Sequence, residues 1–569
     1  MIGVIANPSE HPVVCEFFEL FKTPWEFYRS DRIYEILLST GAGNFDGSTA
    51  RLVLIYAGQT LTFDREQSIE IGSQGRETRR LSYKGRRLPI YGNSITFREK
   101  GSDVLVDEES QEPALHVQQS HGRTAVRVGY DLFSEVCVLL TAGGQPLANA
   151  GIPTLDLHIN LLRELIVASG VSLVEIPPVP DGYRFIACLT HDVDHPSVRH
   201  HKFDHTTFGF LYRAGLGSLF DVLRRRAPLR KLLSNCAAAF KLPFIHLGIA
   251  KDFWYDFDDY AKIETGFRSS FFVIPFKGNP GSSGRGAAPK RRASGYAAAE
   301  ITEKIQKLAS EGCEIGLHGI DAWLDSSKAV EEMDEIRRIT GTRDIGVRMH
   351  WLYFDEHSPL VLERAGADYD SSVGYNETVG YRAGTTQAYK PLEVSRLLEL
   401  PLHIMDTAMF FPGRLGLSPA QARKEVARII ANAVRFGGAL TVNWHDRSIA
   451  PERLWGDFYE QLLDELKRHG AWFATAGDTV RWFRKRRSAQ FEDISWDAQE
   501  LHRKAAVRGN ELPGLCLRVH NPPEPSSANG SAATAACICD FSLERQFDDC
   551  VAPSQPGIEI QALVKHSLG

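Results

Sequence analysis

Long apolar runs are missing from this chain. No stretch of its 569 residues reaches the eighteen or so apolar positions that a membrane-spanning helix needs. The start, MIGVIANPSEHPVVCEFFELF, has no basic region leading into an apolar one, so no membrane-spanning segment is expected and the cytoplasm is the default location. Excess charge of one sign is missing too. Seventy-one acidic residues stand against 65 Lys and Arg, for a net charge of -6, and nothing in that balance points to nucleic acid or an anionic membrane as a main partner. Cysteine is sparse: the nine residues from Cys15 to Cys550 lack paired spacing and read as reduced thiols. The one cluster, Cys537, Cys539 and Cys550, matches no zinc ribbon. Gly41, Gly43 and Gly47 miss the dinucleotide fingerprint, no lysine follows as in a P-loop, and no GxSxG elbow of a serine hydrolase occurs.

What is present is a chain long enough for several units. Residues 1–178 mix short alternating strands, such as Arg51 to Tyr56 and Ser94 to Phe97, with helical stretches such as Leu155 to Ala168, which predicts an α+β domain. IPPVPDG, from Ile176 to Gly182, reads as a linker. Over 179–487 short apolar runs alternate with helical stretches: Phe185 to Leu189, Ser270 to Ile274, Glu314 to Leu317, Asp344 to Val347, Leu398 to Pro401, Ala439 to Trp444 and Ala471 to Ala474. That rhythm predicts an α/β fold, a parallel sheet closed or nearly closed into a (β/α)7-8 barrel, with helices such as Ala298 to Ser310 and Pro419 to Phe436 outside it. Two insertions interrupt it: the basic Arg224 to Lys231, and a Gly/Ser/Arg-rich stretch, Gly278 to Gly295, that reads as a mobile loop. Residues 488–569 read as a small β-rich region.

The chemistry concentrates in IACLTHDVDHP, Ile186 to Pro196, where an apolar strand runs into Asp192, Asp194 and two imidazoles. Carboxylates so close resist joint ionisation unless a cation sits among them, which points to a divalent metal or a proton-transfer site at a strand end. Other polar groups also follow apolar runs: His318 after EIGL, Arg348 and His350 with Trp351 after DIGV, Glu399 in LLELP, and His445 with Asp446 after ALTVNW. The C-terminal ends of parallel strands are where barrels keep their active sites.

Taken in order, THDVDHP, EIGLHG, GVRMHW, LLELP and TVNWHD resemble the motifs of the polysaccharide deacetylases, the NodB-homology group of carbohydrate esterase family 4. The resemblance covers roughly Asp181 to Arg487, and YDSSVGYNETVGYRAGT and PLHIMD are similar to a bacterial subgroup in which an extra N-terminal domain precedes the barrel. It implies the deformed barrel of that family. It also implies a zinc-dependent hydrolase, or one using another divalent metal, that removes N-acetyl groups from an amino sugar of a bacterial surface polysaccharide or a carrier-linked precursor. By resemblance, Asp192 is the general base, Asp194 and His318 are metal ligands, Arg348 orients the base, and His445 is the general acid with Asp446 orienting it. Trp351 and Trp444 are candidate sugar-stacking walls, and Arg382 is a candidate clamp for a substrate phosphate or carboxylate.

Two departures stand out. Val193 separates acidic residues that the family keeps adjacent, which leaves open which aspartate is base and which is ligand. Ala322 also stands where the family places a second histidine, four residues after the first. A third ligand must then come from elsewhere: His350 first, with His195 and Asp321 as alternatives. If none reaches the metal, the chain would be a carbohydrate-binding or assembly protein on the same fold. A glycoside hydrolase pairing Glu399 with Asp192 would leave the histidine cluster unexplained.

Overall fold

The computed structural model describes residues 1–41, 49–75, 78–98, 104–120, 122–141, 144–202, 204–223, 229–255, 257–450, 453, 455–491, 503–504, 512–523, 537–543 and 562–563. Most of the expected C-terminal region therefore lies outside the described residues, as do Gly43, Gly47, Cys550 and Arg224 to Pro228 of the basic insertion.

The chain is α/β, and its largest sheet is parallel and curled. Its strands are β1 (Phe185–Val193), β2 (Ser270–Val273), β3 (Glu314–Gly319), β4 (Val347–Met349), β5 (Tyr369–Asp370), β6 (Leu398–Glu399), β7 (Ile404–Met405), β8 (Ala439–Asn443) and β9 (Ala471–Ala474). The order runs β6-β5-β4-β3-β2-β1-β8-β7, with β9 against the start of β1. The short segment between β6 and β7 reaches both edges. Leu400 N–H donates to the Asp370 carbonyl and His403 N–H to the Thr441 carbonyl.

Strand alternation sorts the side chains. On β1, Phe185, Ala187, Leu189 and Val193 pack outward under helices such as Thr302–Ser310 and Pro419–Phe436. Ile186 and Cys188 point to the opposite, concave face, with Phe272 and Tyr369. Continuing that parity puts Thr190 and Asp192 on the concave face at the strand's C-terminal end, and the same rule puts His318, Arg348 and Asn443 there. Such strands are buried on both faces, which is why they read as nearly continuous apolar runs. The expected run Asp344 to Val347 differs in detail, because the paired strand begins only at Val347.

Before the barrel, the strands Ile2–Ile5, Trp25–Phe27, Ile36–Ser39, Leu52–Tyr56, Leu115–Ser120 and Arg123–Val128 form a six-stranded sheet, packed by the helices His11–Phe21, Leu132–Leu140 and Thr154–Ala168. Leu173–Glu175 pairs with Cys516–Asn521, which pairs with Cys537–Ser542, so the C-terminal strands extend a strand that precedes the barrel. Arg486 ties these parts together: it is buried and donates to the Leu20 and Ile176 carbonyls.

Candidate metal centre

Asp194 follows directly on β1, and its Oδ1 is 3.3 Å from His318 Nε2 and 3.2 Å from His350 Nδ1. The two imidazole nitrogens are 3.0 Å apart. A tetrahedral ion with bonds of roughly 2.0–2.1 Å holds its ligand atoms about 3.3 Å from one another, so the triangle has the dimensions of one face of such a site. Asp194 Oδ1 is buried and has no hydrogen-bond partner, an unsatisfied acceptor that a cation would satisfy. His318 pairs its Nδ1 with the Arg348 carbonyl at 3.0 Å; a carbonyl only accepts, so Nδ1 carries the proton and the Nε2 lone pair faces the triangle. The donor set, two imidazoles and a carboxylate, suits zinc or another divalent metal.

Of the three candidates for the position vacated by Ala322, the structure brings His350 to the cluster. Asp321 is committed elsewhere, with Lys328 Nζ at 2.9 Å and the Ser282 N–H at 2.8 Å. His195 pairs with His201 Nε2 at 3.0 Å. His191, the other imidazole of THDVDHP, faces outward and is a satisfied structural histidine. It bonds the Trp444 carbonyl at 2.8 Å and Glu264 at 2.9 Å, and packs on Tyr260.

Beside the triangle, Asp192 accepts from Arg348 at 3.2 Å and from the Asn443 amide at 2.7 Å. Arg348 also donates to Thr190 Oγ1 at 2.6 Å, which joins β4 to β1 across two intervening strands and so depends on the curl of the sheet. Burial opposes ionisation of Asp192, yet His318 and Arg348 keep its pKa below the ordinary carboxylate value. Asn443, inside TVNWHD, is a site residue that the sequence reading passed over.

On the other side His445 Nε2 lies 3.9 Å from Asp194 Oδ2. Its Nδ1 is 2.6 Å from Asp406 Oδ1, and its backbone N–H donates to Asp406 Oδ2 at 2.8 Å. Although burial disfavours the imidazolium, Asp406, then Asp194 and Asp192, push the His445 pKa up to about 9. The orienting carboxylate is therefore Asp406, the last residue of PLHIMD, rather than Asp446. Asp446 instead accepts from the backbone N–H groups of His195 and Arg447.

Two further expectations are corrected. Trp444 is fully buried among Phe458 and Tyr459 and offers no wall to a sugar, because strand alternation turns it away from the face that holds Asn443 and His445. Arg382 donates to the Gly374 carbonyl and lies over Phe354 and Tyr375, so its guanidinium packs the seam with the N-terminal residues. Trp351 is half-buried beside His350, in the left-handed region at φ 62°. Glu399 shares a hydrogen bond with Asp370 and accepts from the Val373 N–H. Burial and Asp370 raise its pKa, leaving it no free carboxylate to set against Asp192.

The Gly278–Gly295 stretch is a loop, but it is built into the centre. Arg292 is fully buried and donates to the carbonyls of Pro280, Ile320 and His350, clamping the end of β3 to the turn after β4. At Gly281 (φ 70°) a Cβ would sit 2.4 Å from Asp321 Oδ1 and 2.8 Å from the Arg292 guanidinium, so this close approach needs glycine.

No family model matches the chain, and no curated protein matches it. Among solved structures, one assigned as a polysaccharide deacetylase from Mycobacterium smegmatis is 18% identical over 55% of this chain and 96% of its own, with a TM-score of 0.33. A probable polysaccharide deacetylase from Pseudomonas aeruginosa PAO1 is 16% identical over 55% and 94%, with a TM-score of 0.34. A mutant of a CE4 family pseudoenzyme is 11% identical over 53% and 68%, with a TM-score of 0.24. Part of this chain is similar to polysaccharide deacetylases. At these identities and TM-scores the likeness does not bear on what the chain binds or catalyses.

Proposed function

We propose that this chain is a divalent-metal-dependent hydrolase, zinc being the first choice, that removes N-acetyl groups from an amino sugar of a bacterial surface polysaccharide or its carrier-linked precursor. The observation that carries the reading is the unpartnered Oδ1 of Asp194 between His318 and His350, flanked by one aspartate and one histidine whose protonation states suit opposite tasks. A divalent cation held by Asp194, His318 and His350 supplies Lewis acidity, which polarises an acyl carbonyl and makes a water easier to deprotonate.

The remaining roles belong to the side chains. Asp192, kept ionised by Arg348, takes a proton from the attacking water. His445, kept protonated by Asp406, gives its Nε2 proton to the departing amide nitrogen as the C–N bond breaks. One water is consumed, and acetate and the free amine are released. Trp351 stands where a sugar ring could stack. Against a metal-free binding protein, the reading suggested by Ala322, stands the position of His350 as a third candidate donor beside Asp194 and His318.

Acetate release from N-acetylated glucosamine oligomers, measured with and without chelator, tests the reading. Release that stops with chelator and with Asp192→Asn supports it; release that survives both overturns it.

A further inference from the structure

Between β1 and β2 the chain inserts a helical pair. The helices His205–Tyr212 and Ser218–Leu223 are joined by the π-turn Arg213–Gly217, and Leu229–His246 follows. Each carries two apolar stripes, and only one is used. In the first, Phe210 and Ala214 face inward four residues apart, followed by the buried Ser218, while Phe208, Leu211, Leu216, Leu219 and Leu223 recur every three to five residues on the solvent side. In the second, Ala238, Leu242 and Ile245 are buried, while Leu229, Leu233, Phe240, Phe244 and Leu247 are exposed. Leu223 is 68% and Phe240 73% exposed, a degree that isolated surface apolar residues seldom reach over two whole helices.

The chain's near-balanced charge conceals a local excess here. Residues 205–251 hold eight Lys or Arg and a single acidic residue, Asp221. Arg230 and Lys241 are exposed along the second helix. The pair is also anchored to the mouth of the metal centre: Phe210, Ala214 and Ile245 share a cluster with Trp254 and with Ala450, in the loop that follows His445. Among the described residues no helix is long and apolar enough to cross a membrane.

We propose that this helical pair is a docking surface for an anionic lipid bilayer, lying in the interface with its unused stripe in the acyl boundary and its cations among the headgroups. Charge complementarity selects this occupant. A second copy would bring together two segments that are each rich in Lys and Arg and nearly free of Asp and Glu, whereas anionic headgroups neutralise them. Docked in this way, the mouth of the metal centre sits at the membrane surface, within reach of a lipid-carried substrate. That last clause rests on the proposed hydrolase reading, and the docking surface does not.

The test is sedimentation of the full chain with vesicles of phosphatidylcholine alone or mixed with phosphatidylglycerol, at low and raised salt. The expected binding is at least about tenfold stronger to the anionic vesicles and weakens with salt. Two variants separate the contributions. Phe208→Ser/Leu216→Ser/Phe240→Ser/Leu247→Ser removes the apolar stripe, and Arg230→Glu/Lys231→Glu/Lys241→Glu reverses the charge. Each should lose vesicle binding with circular dichroism and metal content unchanged, results that leave the hydrolase reading untouched. Wild-type chain that stays in the supernatant with anionic vesicles at low salt overturns the proposal. So does concentration-dependent self-association that the stripe variant abolishes without any vesicle binding.

Discussion

Asp406 holds His445 twice, through Nδ1 at 2.6 Å and through the backbone N–H at 2.8 Å. The ring contact occupies Nδ1 and the backbone contact holds the residue in place, so that Nε2–H is presented to Asp194 and the site. A buried carboxylate paired this closely also keeps the imidazole charged, and a histidine has to carry that proton if it is to donate it to a leaving nitrogen.

Asp406→Asn should therefore lower kcat by roughly 100-fold, the lower range for losing a well-placed general acid, while metal content stays the same. The His445 pKa of about 9 is raised above its ordinary value, so the acid form is present below that pH and lost above it. Removing Asp406 should move the alkaline limb of the kcat profile to lower pH. An unmoved limb would show that His445 is not the group being titrated.

Arg292→Met should destabilise the fold by about 3 kcal/mol, because two buried carbonyls and one half-buried carbonyl lose a charged donor together. The turn after β4 would also lose its clamp, so metal affinity should fall along with the thermal midpoint. A variant that loses neither would mean that the loop does not position His350.

Glu399→Gln separates the deacetylase reading from a glycosidase. Because Glu399 and Asp370 already hydrogen-bond in their partly protonated state, the amide should preserve most of the packing and leave acetate release within about threefold of wild type. A loss of more than 100-fold would return Glu399 to the chemistry.

Asp156 offers a check on the seam between the barrel and the preceding sheet. It accepts from Thr385 Oγ1 at 2.6 Å, and burial raises its pKa to about 7. The folded protein thus binds this proton more tightly than the unfolded one, so the group's contribution is full below the unfolded pKa near 3.8 and is lost as pH rises to about 7. Asp156→Asn should flatten the fall in thermal midpoint across that window, relative to wild type. An identical slope in the two proteins would exclude Asp156 as its source.

Much of this site was legible in the sequence because parallel strands put chemistry at one end, so the order THDVDHP, EIGLHG, GVRMHW, TVNWHD already lists residues that converge. His350 was readable as a third donor since it sits at the end of the strand beside His318. Asp406 was not, because its partner lies 39 residues on, and only the register of β7 against β8 brings them together. Arg292 was hidden for another reason: a Gly/Ser/Arg-rich stretch has the composition of a solvated loop, and nothing local reveals that one of its arginines is buried. Trp444 could have been assigned correctly by counting, since residues adjacent on a strand face opposite ways.

The most direct measurement is the molar content of divalent metal in the purified full chain and in His318→Ala and His350→Ala, by elemental analysis after dialysis. The account predicts about one ion per chain in the wild type and a loss of at least roughly 100-fold in affinity in either variant. A wild-type chain that holds no divalent metal when zinc is supplied, or variants that keep it, would contradict the account.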